Sequence, residues 1–199
     1  MRVSKEEASQ NRERLLRAAA QLFRENGIEA TGVDAITERA GLTHGSLYSQ
    51  FGSKDAVAAE AILYASAGSR RKWERGAEGA GGKLALSGIV KQYLSRAHRD
   101  APGHGCVLAA LGPDVSRQPR TTRHAFTKAL KGAVGLIAGL LPDREAARRE
   151  DKALATFSAM VGALILARAV DDESLSDRIL RASATRVRNL AGPAANRGE

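Results

Sequence analysis

Residues 43–50 carry polar side chains of a kind that can bind nucleic acid. They include small hydroxyls, an imidazole, a phenol and an amide, whereas a solvated helix face usually carries Lys and Glu. Such groups allow close approach and can form hydrogen bonds with phosphates and base edges. The candidates for contacts of this kind are Thr43, His44, Gly45, Ser46, Tyr48, Ser49 and Gln50.

Two short helices joined by a tight turn are predicted to position these side chains. Gly41 follows the first apolar stripe, where a glycine with positive φ would end a helix. Thr43 is then the N-cap of the second helix. This arrangement is the helix-turn-helix, whose second helix enters the major groove of DNA. The apolar positions are Val33, Ile36 and Ala40 in the first helix, and Leu47 and Phe51 in the second.

Residues 14–57 resemble the DNA-binding domain of the TetR/AcrR transcriptional regulators. The matching segments are LLRAAAQLFRENG, Thr31, VDAITERAGLTHGSLYSQF and GSKDAV. In that family the Thr at the place of Thr31 often touches a phosphate, and the Lys at the place of Lys54 binds one, so both join the DNA-binding candidates. Thr31 could equally be the N-cap of the second helix, and Lys54 could be a solvated surface residue.

Composition favours an all-α fold. Aromatic residues are sparse at 4%, while Ala, Leu and Arg are abundant. The net charge of +9 suits an anionic partner, but residues 1–52 hold seven basic and seven acidic side chains, so the surplus lies beyond them. We expect about nine helices, with a helix-turn-helix DNA-binding domain at 1–52 and an effector-binding and dimerisation domain at 53–199.

The regulatory half of such a regulator needs a cavity for a small-molecule inducer of unknown identity. The resemblance places it among the helices from Ser53 to the start of the helix at 143–170. Ordinary core packing is the alternative for each residue alone. The candidate ligand-binding residues are Tyr64, Trp73, Tyr93, Cys106, Phe126, Phe157 and Met160.

The single cysteine, Cys106, excludes an intrachain disulfide framework. Close to His104 at a helix start, its thiol could react with electrophiles or oxidants, but buried free cysteines are also common and inert. The residues His98, His104, Cys106 and His124 lack a compact ligand spacing, so we predict no metal site and no cofactor. Apolar runs are too short to span a bilayer and no signal peptide is visible, which favours a cytoplasmic protein.

Two functions are consistent with the sequence. The first is a homodimeric repressor that a small-molecule inducer releases from a palindromic DNA operator. The alternative is a helical small-molecule-binding or redox-sensing enzyme that retains the motif as a scaffold. No GxSxG, Walker or GxGxxG motif is present, so we predict that the chain is not an enzyme and has no catalytic residues.

The last two helices are predicted to form the dimer interface. Both carry apolar positions at helical spacing, and the stripe in the first of them is broader than one internal neighbour needs. In the family, the last two helices of each subunit form a four-helix bundle across the two-fold axis. The expected interface residues are Leu164, Arg168, Ile179, Arg186 and Val187.

Local signals also predict several helix boundaries. One helix is expected over residues 83–99, and Gly112–Pro113 should kink or stop the helix that begins near Cys106. Ser174 is expected to cap the last helix. Residues 1–8 should be mobile and residues 192–199 disordered.

Overall fold

A computed structural model describes residues 4–143 and 145–190, and the expected disorder at 192–199 lies outside them. Ten α-helices and one short 3₁₀ turn, Pro102–His104, are found in this part of the chain, which contains no strand. The all-α prediction is therefore confirmed. The helices are α1 (Lys5–Asn26), α2 (Val33–Ala40), α3 (His44–Phe51), α4 (Lys54–Ala77), α5 (Gly82–Tyr93), α6 (Arg96–Asp100), α7 (Val107–Val115), α8 (Arg120–Leu140), α9 (Ala146–Ala169) and α10 (Glu173–Leu190).

The chain packs as two compact units. Of the described residues, the first unit holds 4–68 and 102–129, and the second holds 69–101, 130–143 and 145–190. Packing therefore groups α7 and the start of α8 with the first three helices. The predicted boundary at 52/53 separates DNA binding from effector binding. The packing units do not test that division, so it stays a prediction.

The core of the first unit explains how its three N-terminal helices form. Leu15 and Phe23 of α1, Ile36 of α2 and Leu47 of α3 are all fully buried. Burying a side chain of this size contributes about 1.5–3 kcal/mol. Ser4 caps α1 by accepting a hydrogen bond from the Glu7 N–H at 3.1 Å, so the helix begins within the segment expected to be mobile.

The second unit is built around α9 and α10, which pack along each other. Seven side chains of α9 are buried, although the helix is long and apolar enough to cross a membrane by length and composition alone. Because these buried residues include Phe157, Met160 and Leu164, α9 is a core helix of this unit.

The helix expected over residues 83–99 is in fact two helices. α5 ends at Tyr93, and the Ser95 hydroxyl accepts a hydrogen bond from the His98 N–H at 3.2 Å, which starts α6. Burial lowers the pKa of His98, so its ring is neutral at pH 7. Since its Nδ1 lies 2.7 Å from the Tyr93 carbonyl oxygen, which can only accept, Nδ1 carries the proton.

Gly112–Pro113 was expected to kink or stop α7, and the helix ends at Val115, two residues after the proline. A kink stays a prediction. The predicted cap of the last helix was wrong. The last helix is capped by Asp172, whose Oδ1 accepts from the Leu175 N–H at 3.0 Å. Ser174 lies within α10 instead.

Candidate nucleic-acid interface

The turn between α2 and α3 has the geometry that the sequence predicts. Gly41 is left-handed, with φ 61° and ψ 43°, and its N–H bonds to the Glu38 carbonyl at 2.9 Å. A Cβ at this position would lie 2.8 Å from Nη2 of Arg14, which itself donates to the Gly41 carbonyl. Glycine therefore satisfies both the backbone conformation and the close approach of α1.

The inner side of α3 is fixed by apolar contacts and one cation. Leu47 is fully buried, while the Phe51 ring lies beneath the guanidinium of Arg12, 4.1 Å from ring centroid to carbon. Arg12 also pairs with Glu60 of α4 at 2.6 Å. These contacts hold α3 against α1 and α4, so its opposite side faces outward.

The outward side of α3 carries an imidazole stacked near a phenol. Tyr48 is 44% exposed, and its ring centroid lies 5.1 Å from that of His44. His44 Nδ1 is 2.7 Å from Oδ1 of Asp34 on α2, which orients the imidazole. Gly45 and Ser49 are exposed beside them. Sequence reasoning missed Asp34, because an exposed acid on a helix gives no sign of its partner.

Hydroxyl groups at the start of α3 bond to one another. Thr43 occupies the N-cap position, as predicted, but its side chain accepts no backbone hydrogen bond. Its Oγ1 lies 2.9 Å from Oγ of Ser46, and Ser49 donates to the Ser46 carbonyl at 3.0 Å. Each of these hydroxyls is near the surface and retains capacity for a further hydrogen bond.

Two of the predicted DNA-binding side chains point inward. Gln50 Nε2 donates to the Ala8 carbonyl of α1 at 3.1 Å. Thr31 is buried, and its hydroxyl donates to the Gly27 carbonyl at 2.7 Å, at the end of α1. The N-cap of α2 is Gly32, so the capping interpretation of Thr31 was wrong. A DNA contact by either side chain would require it to leave its present acceptor.

Lys54 lies in the first turn of α4, where Ser53 caps the helix by accepting from the Ala56 N–H at 3.1 Å. Its Nζ donates to the Glu29 carbonyl at 3.2 Å in the connector between α1 and α2. An ammonium at a helix N-terminus opposes the helix dipole, so a phosphate at this place would be favourable to both.

Two side chains, one on α7 and one just after it, form hydrogen bonds with the same connector. The Asp114 carboxylate accepts from the Ile28 N–H at 3.0 Å, and Gln118 donates to the Glu29 carboxylate at 2.6 Å. A Cβ at Gly27, where φ is 86°, would lie 2.6 Å from that Asp114 oxygen. These partners are more than 80 residues apart in sequence, and no local pattern reveals them.

Comparison with known proteins relates the helix-turn-helix to a family of bacterial regulators. Residues 15–61 match the model of the bacterial regulatory proteins of the tetR family. Two uncharacterized HTH-type transcriptional regulators from strains of Mycobacterium tuberculosis are each 29% identical over 191 residues, covering 90% of this chain and 93% of theirs. The helix-turn-helix of this chain is therefore of the tetR-family type, and over most of its length the chain is similar to HTH-type transcriptional regulators.

Solved structures of other proteins share its fold. Escherichia coli NemR in its reduced form superposes with a TM-score of 0.76 at 22% identity, covering 93% of this chain and 99% of that one. A TetR transcriptional regulator from Legionella pneumophila gives 0.76 at 17% identity, with 95% and 98% covered. These likenesses show the fold, and the family match and the names of the relatives point to transcriptional regulation rather than enzymatic catalysis.

Three of the predicted ligand-binding side chains come together. Trp73, Tyr93 and Phe157 pack edge to face in the second unit, with ring centroids 6.0–6.1 Å apart. Met160 is buried in the same unit. Tyr64, Cys106 and Phe126 belong to the first unit. There, a hydrogen bond from the Arg17 guanidinium to Tyr64 raises the pKa of Arg17.

Cys106 is buried, 8% exposed, just before α7 and is not part of a disulfide. Arg24 donates to the neighbouring Gly105 carbonyl at 3.1 Å, and burial lowers the pKa of this guanidinium. His104 is exposed. Among the residues that the structure describes, no group of three or more His, Cys, Asp or Glu side chains could hold a metal ion.

The predicted dimer residues lie in different surroundings. Leu164 and Val187 are buried within their own unit, and Arg168 donates to the His98 and Arg99 carbonyls at 2.7 and 3.0 Å. Ile179 is half-buried and Arg186 exposed. The exposed large apolar residues of α9 are Leu154 and Leu166.

Proposed function

We propose that the protein is a homodimeric cytoplasmic repressor that leaves a palindromic operator when a small molecule binds. The outward face of α3 carries this proposal, since its exposed polar groups stand on a helix whose inner side is firmly packed. Tyr48 and Lys54 position the protein on phosphates, and His44 and Ser46 reach base edges. Gly45 lacks a side chain and lets the backbone of α3 approach the DNA.

A mobility-shift assay with DNA from upstream of the protein's own gene tests this function. A specific regulator shifts that fragment at salt concentrations that abolish binding to unrelated DNA, because only the non-specific part is wholly electrostatic. Equal shifts of both fragments at every salt concentration would contradict the proposal. Adding candidate small molecules to the shifted complex then identifies the inducer by release of DNA.

The aromatic group Trp73, Tyr93 and Phe157, together with Met160, is the proposed wall of the inducer site. Large apolar side chains with few polar groups are typical of small-molecule pockets. A thermal-shift screen tests this part, since a ligand that binds the native state raises its melting temperature. Phe157→Ala would remove the response to an identified inducer if the ring contacts it.

The dimer is proposed to form through the exposed side of α9. Leu166, 58% exposed, and Leu154 flank small residues there, and a two-fold dimer doubles the contacts on a palindrome. Leu166→Glu should shift the protein from dimer to monomer in sedimentation at micromolar concentration, because a charge in an apolar interface is costly. Leu84→Glu, at an exposed Leu of α5, is the control that should stay dimeric. A wild-type monomer would refute the dimer.

A sensing role for Cys106 is a separate question with its own test. The thiol is buried, so we expect iodoacetamide to label it only after the protein is denatured. That result would identify Cys106 as a core residue. Labelling of the native protein in step with loss of operator binding would contradict this expectation. Cys106→Ser should then keep operator affinity and resist the reagent.

A further inference from the structure

A cavity of about 590 Å³ lies between α8 and the first turns of α9. Its lining, in the part of the chain that the structure describes, includes none of the aromatic effector candidates. Pockets that bind small molecules commonly have volumes of about 300–1,000 Å³. The cavity is therefore large enough for a second ligand.

Two glycines open the α8 side of this cavity. Gly135 and Gly139 lie one helical turn apart, and no atom comes within 4 Å of a Cβ built at either position. Glycine inside a helix lowers its stability, so helix formation does not explain the pair. Val134 and Ala138 provide apolar surface beside them.

The charged part of the lining is mainly positive. Lys131 and Arg149 both line the cavity, and Glu150 is the one acid among the described lining residues. Arg149 Nη1 donates to the Asp143 carbonyl at 2.9 Å, which holds the guanidinium in place. The Asp143 carboxylate pairs with Lys152 at 3.0 Å.

We propose that this cavity binds a small amphipathic organic anion. A carboxylate would accept hydrogen bonds from Lys131 and Arg149, and a short hydrocarbon chain would lie along the surface opened by Gly135 and Gly139. Hydrogen bonds between ionised partners are the strong ones, so the charged end fixes the ligand's orientation. This site is separate from the proposed inducer wall and does not rest on the proposed function.

Octanoate is a suitable probe, with binding measured by calorimetry on the full chain. Gly135→Leu should abolish binding, because its side chain occupies the open space, and a helix accepts Leu more readily than Gly. Gly88→Leu is the matched control, since Gly88 is an exposed α5 glycine with no atom within 4 Å of a Cβ. It should bind octanoate as the wild type does.

The charge requirement is tested independently. Lys131→Glu should weaken octanoate binding about tenfold to a hundredfold, while Lys91→Glu, at an exposed position of α5, should leave it unchanged. Failure of octanoate to bind the wild type at millimolar concentration would overturn the proposal. Equal binding to wild type and to a folded Gly135→Leu or Lys131→Glu variant would also overturn it. Tighter binding of octylamine than of octanoate would overturn the assignment of an anion.

Discussion

The outer face of α3 and the contact between α6 and α10 are both built from hydrogen-bonded polar side chains. On α3, His44 pairs with Asp34, and their side chains are 54% and 90% exposed. Between α6 and α10, Arg99 pairs with Asp177 at 3.2 Å, and theirs are 12% and 8% exposed. The first pair is exposed enough for His44 to take the additional partner that we propose is DNA, whereas the second holds two helices together.

The buried set is also more completely connected. Asp177 accepts from Arg96 Nε at 2.9 Å as well as from Arg99. Arg99 donates to the Ser176 hydroxyl at 2.9 Å, and that hydroxyl donates to the Ala167 carbonyl at 2.6 Å. Breaking one member of such a network leaves other charges unpaired in a poorly hydrated place. Burial therefore separates polar groups that stabilise the fold from those that remain available to a partner.

The largest effect is expected from Asp177→Asn. The substitution removes the charge that Arg96 and Arg99 contact, so the melting temperature at pH 7 should fall clearly below that of the wild type. Asp151→Asn, at an exposed position of α9, should leave the melting temperature unchanged and serves as the control.

The pH dependence of this effect follows from the pKa of Asp177. The hydrogen bond from Arg96 lowers that pKa in the folded protein. The carboxylate therefore contributes stability above its unfolded pKa of about 3.9, and the contribution is lost as the pH falls through the lower folded value. The difference in melting temperature between wild type and Asp177→Asn should shrink as the pH falls below about 4. A difference in melting temperature that is absent at pH 7, or that does not shrink below about pH 4, would contradict this role of Asp177.

The smallest effect is expected from Asp34→Ala. Its ion pair with His44 is exposed, and such pairs contribute little, so the free energy of unfolding should change by no more than about 0.5 kcal/mol. Chemical denaturation measures the change. A loss of several kcal/mol would show that the α3 face is structural like the α6–α10 contact, and the comparison would fail.

Local signals made most of the N-terminal region predictable from sequence. Gly41 ends α2 and Thr43 occupies the N-cap position of α3, as predicted, because each acts on residues within one turn of itself. The start of α6 at Ser95 was missed because an apolar stripe continues across it. A single serine in such a stripe does not distinguish a cap from a helix interior.

The directions of individual side chains at the candidate site could not be predicted. Gln50 and Thr31 turn towards α1 because carbonyl acceptors are available there, at Ala8 and Gly27. The hydrogen bond from the Ile28 N–H to the Asp114 carboxylate joins residues 86 positions apart. Such contacts depend on how helices pack, which a single sequence does not encode in any local pattern.

The central claim, that the exposed groups of α3 and α4 bind DNA, is tested by the salt dependence of operator affinity. Fluorescence anisotropy with DNA from upstream of the protein's own gene compares wild type, Tyr48→Phe and Lys54→Ala, with Lys91→Ala of α5 as control. We predict weaker binding for both interface variants at unchanged melting temperature, and a salt slope lowered by about one for Lys54→Ala. Lys91→Ala should behave as wild type. Wild-type affinity and slope in both Tyr48→Phe and Lys54→Ala would contradict the claim.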